Sequence, residues 1–275
     1  MKKRYIISLF VLLFVISAVG WWYYYPQYKI SQIKKESVID QNASPDSKQI
    51  TYLDYLKKSP KSTLNHLVLG DSVAEGRGSE EGGFASKVNE NLQNLTGKTF
   101  ILENQGVSGF TSQGLLNQLE IPAVQQSVKK ADIISINIGG NDLVQIAKQQ
   151  GPLKAIQSYD DVKNEYQKNL NDIFENIRKH NPNAIIVLNE LYNVVNAEQK
   201  YYPATEKLLN DWNLIAYETA LTHKPALVVP VSDALQTEDM DKWLFDSIHP
   251  NEEGYDRIAN KTVTTFQNQS YKEAQ

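Results

Sequence analysis

Three short polar segments carry the residues able to do covalent chemistry. They are Gly70-Asp71-Ser72, Gly139-Gly140-Asn141-Asp142 and Asp246-Ser247-Ile248-His249-Pro250. A serine hydroxyl becomes a nucleophile when a neighbouring base takes its proton, and imidazole is suited to this because its ordinary pKa lies near neutrality. Asp246 precedes His249 by three residues, close enough to reach the second ring nitrogen across a turn. There it would fix the tautomer and stabilise the imidazolium. Asn141 offers a side-chain amide donor for an oxyanion, and the two glycines before it allow close backbone approach. Taken singly, each segment also reads as an ordinary turn or helix cap. The chain has four histidines. His66, which precedes a strand, and His180 and His223, which end helices, read as surface or capping residues. His249 alone has a close acid partner in a loop before a helix.

These segments must be brought together by the elements that precede them. Leu67 to Leu69, Thr99 to Leu102, Ile133 to Ile138, Ala184 to Leu188 and Ala226 to Val229 are apolar runs of strand length. Helical spacing marks Phe84 to Leu95, Val162 to Arg178, Ala204 to Leu221 and Glu252 to Phe266. Leu115 to Val128 is also helical, with a break expected at Pro122. Strands alternating with helices imply an α/β fold: a five-stranded parallel sheet in a three-layer α/β/α sandwich. Ligand sites in such sheets lie beyond the carboxyl ends of the strands, where the Ser72 and Asn141 segments fall. Ser72, opening the segment after the first strand, would have its hydroxyl in the crevice and its backbone N–H free to donate.

The segments together resemble the SGNH hydrolases, also called the GDSL esterase/lipase family. Gly70-Asp71-Ser72 is similar to the family's nucleophile block. Gly109, within Val107-Ser108-Gly109-Phe110, is similar to its glycine block. Asn141 falls in its asparagine block, and Asp246 with His249 in its closing acid–base block. The resemblance spans about residues 62 to 270. It implies a flavodoxin-like sandwich and an esterase or lipase in which Ser72 attacks an ester carbonyl, His249 takes its proton and Asp246 orients His249. It further implies an oxyanion hole made of the Ser72 and Gly109 N–H groups and the Asn141 side chain, with no cofactor and no metal. Asp71 is expected to orient the loop. Val73-Ala74 after the serine departs from the Leu and Ser or Thr frequent in the family, which bears on subfamily. Substrates implied are small acyl esters, lipids or acetylated glycans. Carbohydrate or cell-wall acetyl esterase, and a non-catalytic surface protein on the same fold, are the alternative functions. Phe84, Phe110, Leu143, Trp243, Leu244 and Phe245 are candidates for apolar walls near the site, although most such residues are core.

The rest of the chain bounds location and partners. The chain has 275 residues, 41% of them apolar and 22% charged, enough for a sizeable core. Its net charge is −4, and Lys2, Lys3 and Arg4 precede any acid, so the body is more acidic still. That excludes the clustered cations a nucleic-acid partner requires. The absence of cysteine excludes disulfides and thiolate chemistry. No Gly-x-Gly-x-x-Gly or phosphate loop is present, and one histidine with scattered carboxylates makes a poor zinc set. From Tyr5 to Tyr25 the chain is uncharged for about 21 residues, the length of a bilayer span, and it closes on Trp21, Trp22, Tyr23, Tyr24 and Tyr25. Residues 1–25 therefore read as a signal-anchor stopped by Pro26. A single-pass membrane protein with its catalytic part outside is expected, or a secreted one if Ala18-Val19-Gly20 is a cleavage site. Residues 26–61 read as a polar stalk with one short helix near Tyr52–Lys58, and residues 62–275 as the hydrolase domain, expected to be a monomer.

Overall fold

The computed structural model describes residues 2–38, 49–150, 157–235 and 240–273. Helix α1 (Lys2–Ser37) and α2 (Tyr52–Lys58) lead into β1 (Thr63–Gly70), α3 (Ser72–Glu75), α4 (Gly83–Thr96) and β2 (Thr99–Asn104). Then follow α5 (Ser112–Leu119), α6 (Pro122–Lys130), β3 (Ile133–Asn137), α7 (Gly140–Gln150) and α8 (Tyr159–His180). The chain continues through β4 (Ile185–Asn189), α9 (Tyr202–Thr222), β5 (Ala226–Val229), α10 (Val231–Leu235) and α11 (Glu252–Asn268). The five strands form one parallel sheet in the order β2-β1-β3-β4-β5. The chain passes from β1 to β2 on one side and then crosses back to β3 on the other side of β1, so the switch point lies beyond the carboxyl ends of β1 and β3.

Why the sheet is covered on both faces follows from strand parity. Leu67, Leu69, Ile134, Ile136, Ile186 and Leu188 pack on one face with Tyr166, Leu170, Phe174 and Trp212 of α8 and α9. Val68, Ile133, Ile185, Val187 and Leu227 pack on the other with Phe84 and Leu92 of α4 and Tyr255 and Phe266 of α11. Continuous apolar strands are what burial on two faces demands. The break at Pro122 occurs as expected: α5 ends at Leu119 and Pro122 opens α6, where its missing N–H leaves no bond unmade.

Three expectations change. Helix α1 does not stop at Pro26 but runs through it to Ser37. Its continuation packs along α9, with Ile30 and Ile33 buried. Lys34 reaches the buried Glu190 at 3.2 Å. These contacts hold the helix across a proline that would break an unsupported one. Residues 27–37 are thus part of the folded body and not stalk, while 39–48 of the expected stalk lie outside the described residues. The anchor expected over Tyr5–Tyr25 finds no support: among the described residues no helix is long and apolar enough to cross a membrane. Finally, His66 is not a surface residue. It is 1% exposed, its Nδ1 lies 2.6 Å from Asn89 Oδ1 and its Nε2 2.8 Å from Ser135 Oγ. Burial, against the Asn89 bond, drives its pKa down to about 4 and keeps it neutral.

Candidate active site

Strand β1 ends in a backbone that only glycine fits. Gly70 has φ +129°, and a Cβ there would lie 2.0 Å from the carbonyl oxygen of Asn137 on the neighbouring strand. The chain turns at once, and Asp71 caps α3 by accepting from the Val73 N–H at 3.0 Å. Asn137 Nδ2 donates to the same carboxyl oxygen at 3.0 Å. Asp71 is buried, and burial pushes its carboxyl up to about 6 even against these donors. It therefore fixes the turn that presents Ser72, and its hydrogen bonds face that turn.

Ser72 Oγ lies 2.8 Å from His249 Nε2. The other ring nitrogen, Nδ1, lies 2.9 and 2.8 Å from the two Asp246 oxygens. A carboxylate at Nδ1 sets the tautomer: Nδ1 carries the proton and donates it, leaving Nε2 to accept from the Ser72 hydroxyl. Burial raises the Asp246 pKa, but the His249 N–H, the His249 ring and the Ile248 N–H, all donating, outweigh it and hold it at about 2. Asp246 is thus ionised throughout the neutral range. The loop is pinned from several sides. Tyr192 donates to the Ile248 carbonyl at 2.6 Å, Phe245 N–H donates to the His249 carbonyl at 2.8 Å, and Asn251 caps α11 through the Gly254 N–H.

The second half of the site comes from the segments after β2 and β3. Gly109 has φ +84° and open space where a Cβ would stand. Among the described residues neither the Ser72 nor the Gly109 backbone N–H has an acceptor. Asn141 donates one amide proton to the Phe110 carbonyl at 2.8 Å, which fixes the side chain and leaves the second proton. Asp142 lies inside the first turn of α7, not ahead of it. It accepts from the Ser112 N–H at 2.9 Å and from the Ser112 hydroxyl, and so ties α7 to the start of α5, just after Gly109. Asn169 of α8 donates to the same hydroxyl at 3.1 Å.

Ser72, His249, Gly109 and Asn141 all line one cleft of about 1080 Å³. Its remaining walls are largely apolar: Val144 of α7, Val162 of α8, Leu191, and Leu208 and Leu209 of α9. Of the wall candidates named from sequence, Leu143 alone lines it. Phe84 is core on the opposite face of the sheet, Trp243 is buried under the Arg257 guanidinium, and Phe245 is exposed. The supports that sequence reasoning missed are Asn137, Tyr192 and the Ser112–Asp142–Asn169 cluster. Asn137 at a strand end and Asn169 on an apolar helix face were the available signals, since buried polar groups need partners.

The five-stranded parallel sheet with helices on both faces is an α/β/α sandwich, and the candidate site lies at its switch point. The GDSL-like lipase/acylhydrolase family matches residues 68–257, and the chain belongs to it. It is an ester-hydrolysing serine hydrolase of that family. The chain is 29% identical to the uncharacterised protein YpmR of Bacillus subtilis over 212 residues, 74% of this chain and 83% of YpmR. It is 26% identical to the spore germination lipase LipC of Bacillus licheniformis over 211 residues, 72% of this chain and 94% of LipC. The lipase Lip_vut3 from a goat rumen metagenome shares the fold with a TM-score of 0.60 at 24% identity, over 74% of this chain and 98% of that one. An acetyl xylan esterase from Geobacillus stearothermophilus does so with a TM-score of 0.54 at 21% identity, over 76% and 97%.

Proposed function

We propose that the chain is an extracytoplasmic carboxylic ester hydrolase of the lipase type, with Ser72 as nucleophile, His249 as general base and acid, and Asp246 as the group that orients it. The observation that carries this reading is the unbroken hydrogen-bonded chain Ser72–His249–Asp246 opening on an apolar cleft. Ser72 Oγ attacks the ester carbonyl carbon as its proton passes to His249 Nε2. The carbonyl oxygen becomes an anion facing the N–H groups of Ser72 and Gly109 and the free amide proton of Asn141, which bind it more strongly than they bind the neutral carbonyl. The intermediate collapses as the leaving alcohol takes the proton from Nε2, and an acyl-Ser72 ester remains. Water then attacks that ester, giving its proton to the same nitrogen. Collapse of this second intermediate returns the proton to Ser72 and releases the carboxylic acid.

Lipid esters fit the cleft better than acetylated glycans, because a sugar's hydroxyls would need polar partners where Val144, Val162 and Leu208 stand. The lipase among the relatives, LipC, supports the same choice. The basic start at Lys2–Arg4 and the uncharged run to Tyr25 support export of the catalytic body across the cell membrane. N-terminal sequencing of cell-fractionated protein tests this part. The chemistry is tested by hydrolysis of p-nitrophenyl esters: the wild type is expected to turn over in EDTA and to lose activity to a serine-directed phosphonate. Turnover that resists the phosphonate but stops in EDTA would overturn the serine mechanism.

A further inference from the structure

The cleft has a wall that the matched region does not contain. Trp22 and Tyr23, on α1, line the same cavity as Ser72 and His249, although the family match begins only at residue 68. Their seat is built and specific. Tyr23 donates its hydroxyl to the Pro203 carbonyl at 3.0 Å, at the start of α9. The Lys207 ammonium stands 4.3 Å from the centroid of the Trp22 ring, within cation–π range. Lys207 is itself buried and paired with Asp211 at 2.5 Å, and Asp211 also accepts the Tyr159 hydroxyl from α8. About two to three turns further along, Ile30, Ile33 and the Lys34–Glu190 pair hold the rest of the helix down. Yet Trp22 is 62% exposed, so an aromatic face is fixed in place at the cleft without being covered. Held apolar surface that the fold itself leaves open is surface for a ligand.

We propose that Trp22 and Tyr23 are specificity-determining residues: α1 completes the acyl-binding cleft, and its aromatic wall selects esters of long acyl chains over short ones. The inference rests on the ester-hydrolase reading of the cleft. A short acyl group bound at Ser72 is served by the walls that α7, α8 and α9 provide. A chain of ten or so carbons has more apolar surface to bury, and at about 1080 Å³ the cleft stands at the upper end of the range of ligand cavities. Each methylene that leaves water for the indole face adds to transition-state binding, which gives long chains an advantage that short ones cannot use. Both residues lie after Ala18-Val19-Gly20, so a chain cleaved there would keep them.

The test uses the full chain in detergent and compares kcat/KM for p-nitrophenyl decanoate with that for p-nitrophenyl butyrate. In Trp22→Ala and in Tyr23→Ala the decanoate-to-butyrate ratio is expected to fall about ten-fold, what loss of contact with one or two methylenes is worth. Trp22→Phe, which keeps an aromatic face, should hold the ratio within about twofold of wild type. A ratio that stays at the wild-type value in both alanine variants, or equal losses on both esters, would overturn the proposal while leaving the esterase reading intact. A wild-type chain that hydrolyses neither ester, or a Ser72→Ala chain that hydrolyses both, would overturn the esterase reading and this proposal with it.

Discussion

Replacing Asp71 with asparagine isolates the energetic effect of one buried carboxyl beside the nucleophile. Asp71 has a folded-state pKa of about 6 against an ordinary 3.8, because burial outweighs the donors that face it. A raised acid pKa means that the folded state binds the proton more tightly than the unfolded one. The associated stability is fully present below pH ~3.8 and is lost as the pH rises through about 6. A shift of about two pKa units corresponds to about 3 kcal/mol, of which roughly 2 kcal/mol falls between pH 4 and pH 7.5. Asparagine keeps an oxygen for the Val73 N–H and for Asn137 Nδ2, and it is a good helix N-cap. Its extra amide protons carry a burial cost of their own, but that cost does not vary with pH. The expected result is therefore a change: relative to wild type, Asp71→Asn gains roughly 2 kcal/mol on going from pH 4 to pH 7.5. Urea denaturation of both chains at both pH values measures it. The wild type alone would hide the effect. His66, with a pKa lowered to about 4 by burial, loses stability as the pH falls from 6.5 through 4 and opposes Asp71 over the same window. A stability difference between variant and wild type that is the same at both pH values would mean that the Asp71 carboxyl titrates alike in the folded and unfolded chain.

Three further outcomes follow from the same contacts. Asn141→Ala should lower kcat by ~10²–10³ with little change in KM, since an oxyanion donor acts chiefly in the transition state, and Asn141→Asp should be worse because it sets an anion beside a developing one; steady-state kinetics showing a raised KM with kcat unchanged would instead make Asn141 a substrate-binding residue. Asp246→Asn, which removes the charge that holds Nδ1 protonated, should lower kcat by about 10⁴ while thermal unfolding near neutral pH shows the fold intact; near-normal turnover would remove Asp246 from the account. His66→Gln should reduce the loss of stability between pH 7.5 and pH 4 by about 3 kcal/mol, read by urea denaturation, because glutamine has no proton to gain in the unfolded state.

Much of this architecture is legible along the chain, for physical reasons that also explain where legibility ends. Strands β3, β4 and β5 are buried along their whole length and read as largely apolar runs, while β2 at the sheet edge is largely exposed; α8, α9 and α11 carry long helical periods. The break at Pro122 follows from a missing donor. The chemical segments stand out because each follows a strand or precedes a helix and concentrates polar residues there. What stays hidden depends on contacts distant in sequence. His66 looks like a surface residue until Asn89 and Ser135 are brought to its two ring nitrogens. Pro26 looks like a helix stop until Ile30, Ile33 and Lys34 are seated on α9 and Glu190. Asp142 looks like a cap for its own helix, yet it holds the start of α5. The wall candidates lie near the catalytic segments in sequence, yet Leu143 apart the cleft is lined by residues of α7, α8 and α9, by Leu191 and Tyr192 after β4, and by Trp22 and Tyr23 from far upstream.

The bond that the Ser72 oxygen forms to the substrate's acyl carbon, as His249 takes its proton, is open to covalent labelling. The protein is treated with a fluorophosphonate probe and digested, and the labelled peptide is identified by mass spectrometry, with Ser72→Ala and His249→Ala treated in parallel. A single adduct on Ser72 is expected in the wild type, none in Ser72→Ala, and labelling slowed by orders of magnitude in His249→Ala, since a hydroxyl without its base is a poor nucleophile. An adduct on another serine, or undiminished labelling of Ser72 without His249, would contradict this mechanism.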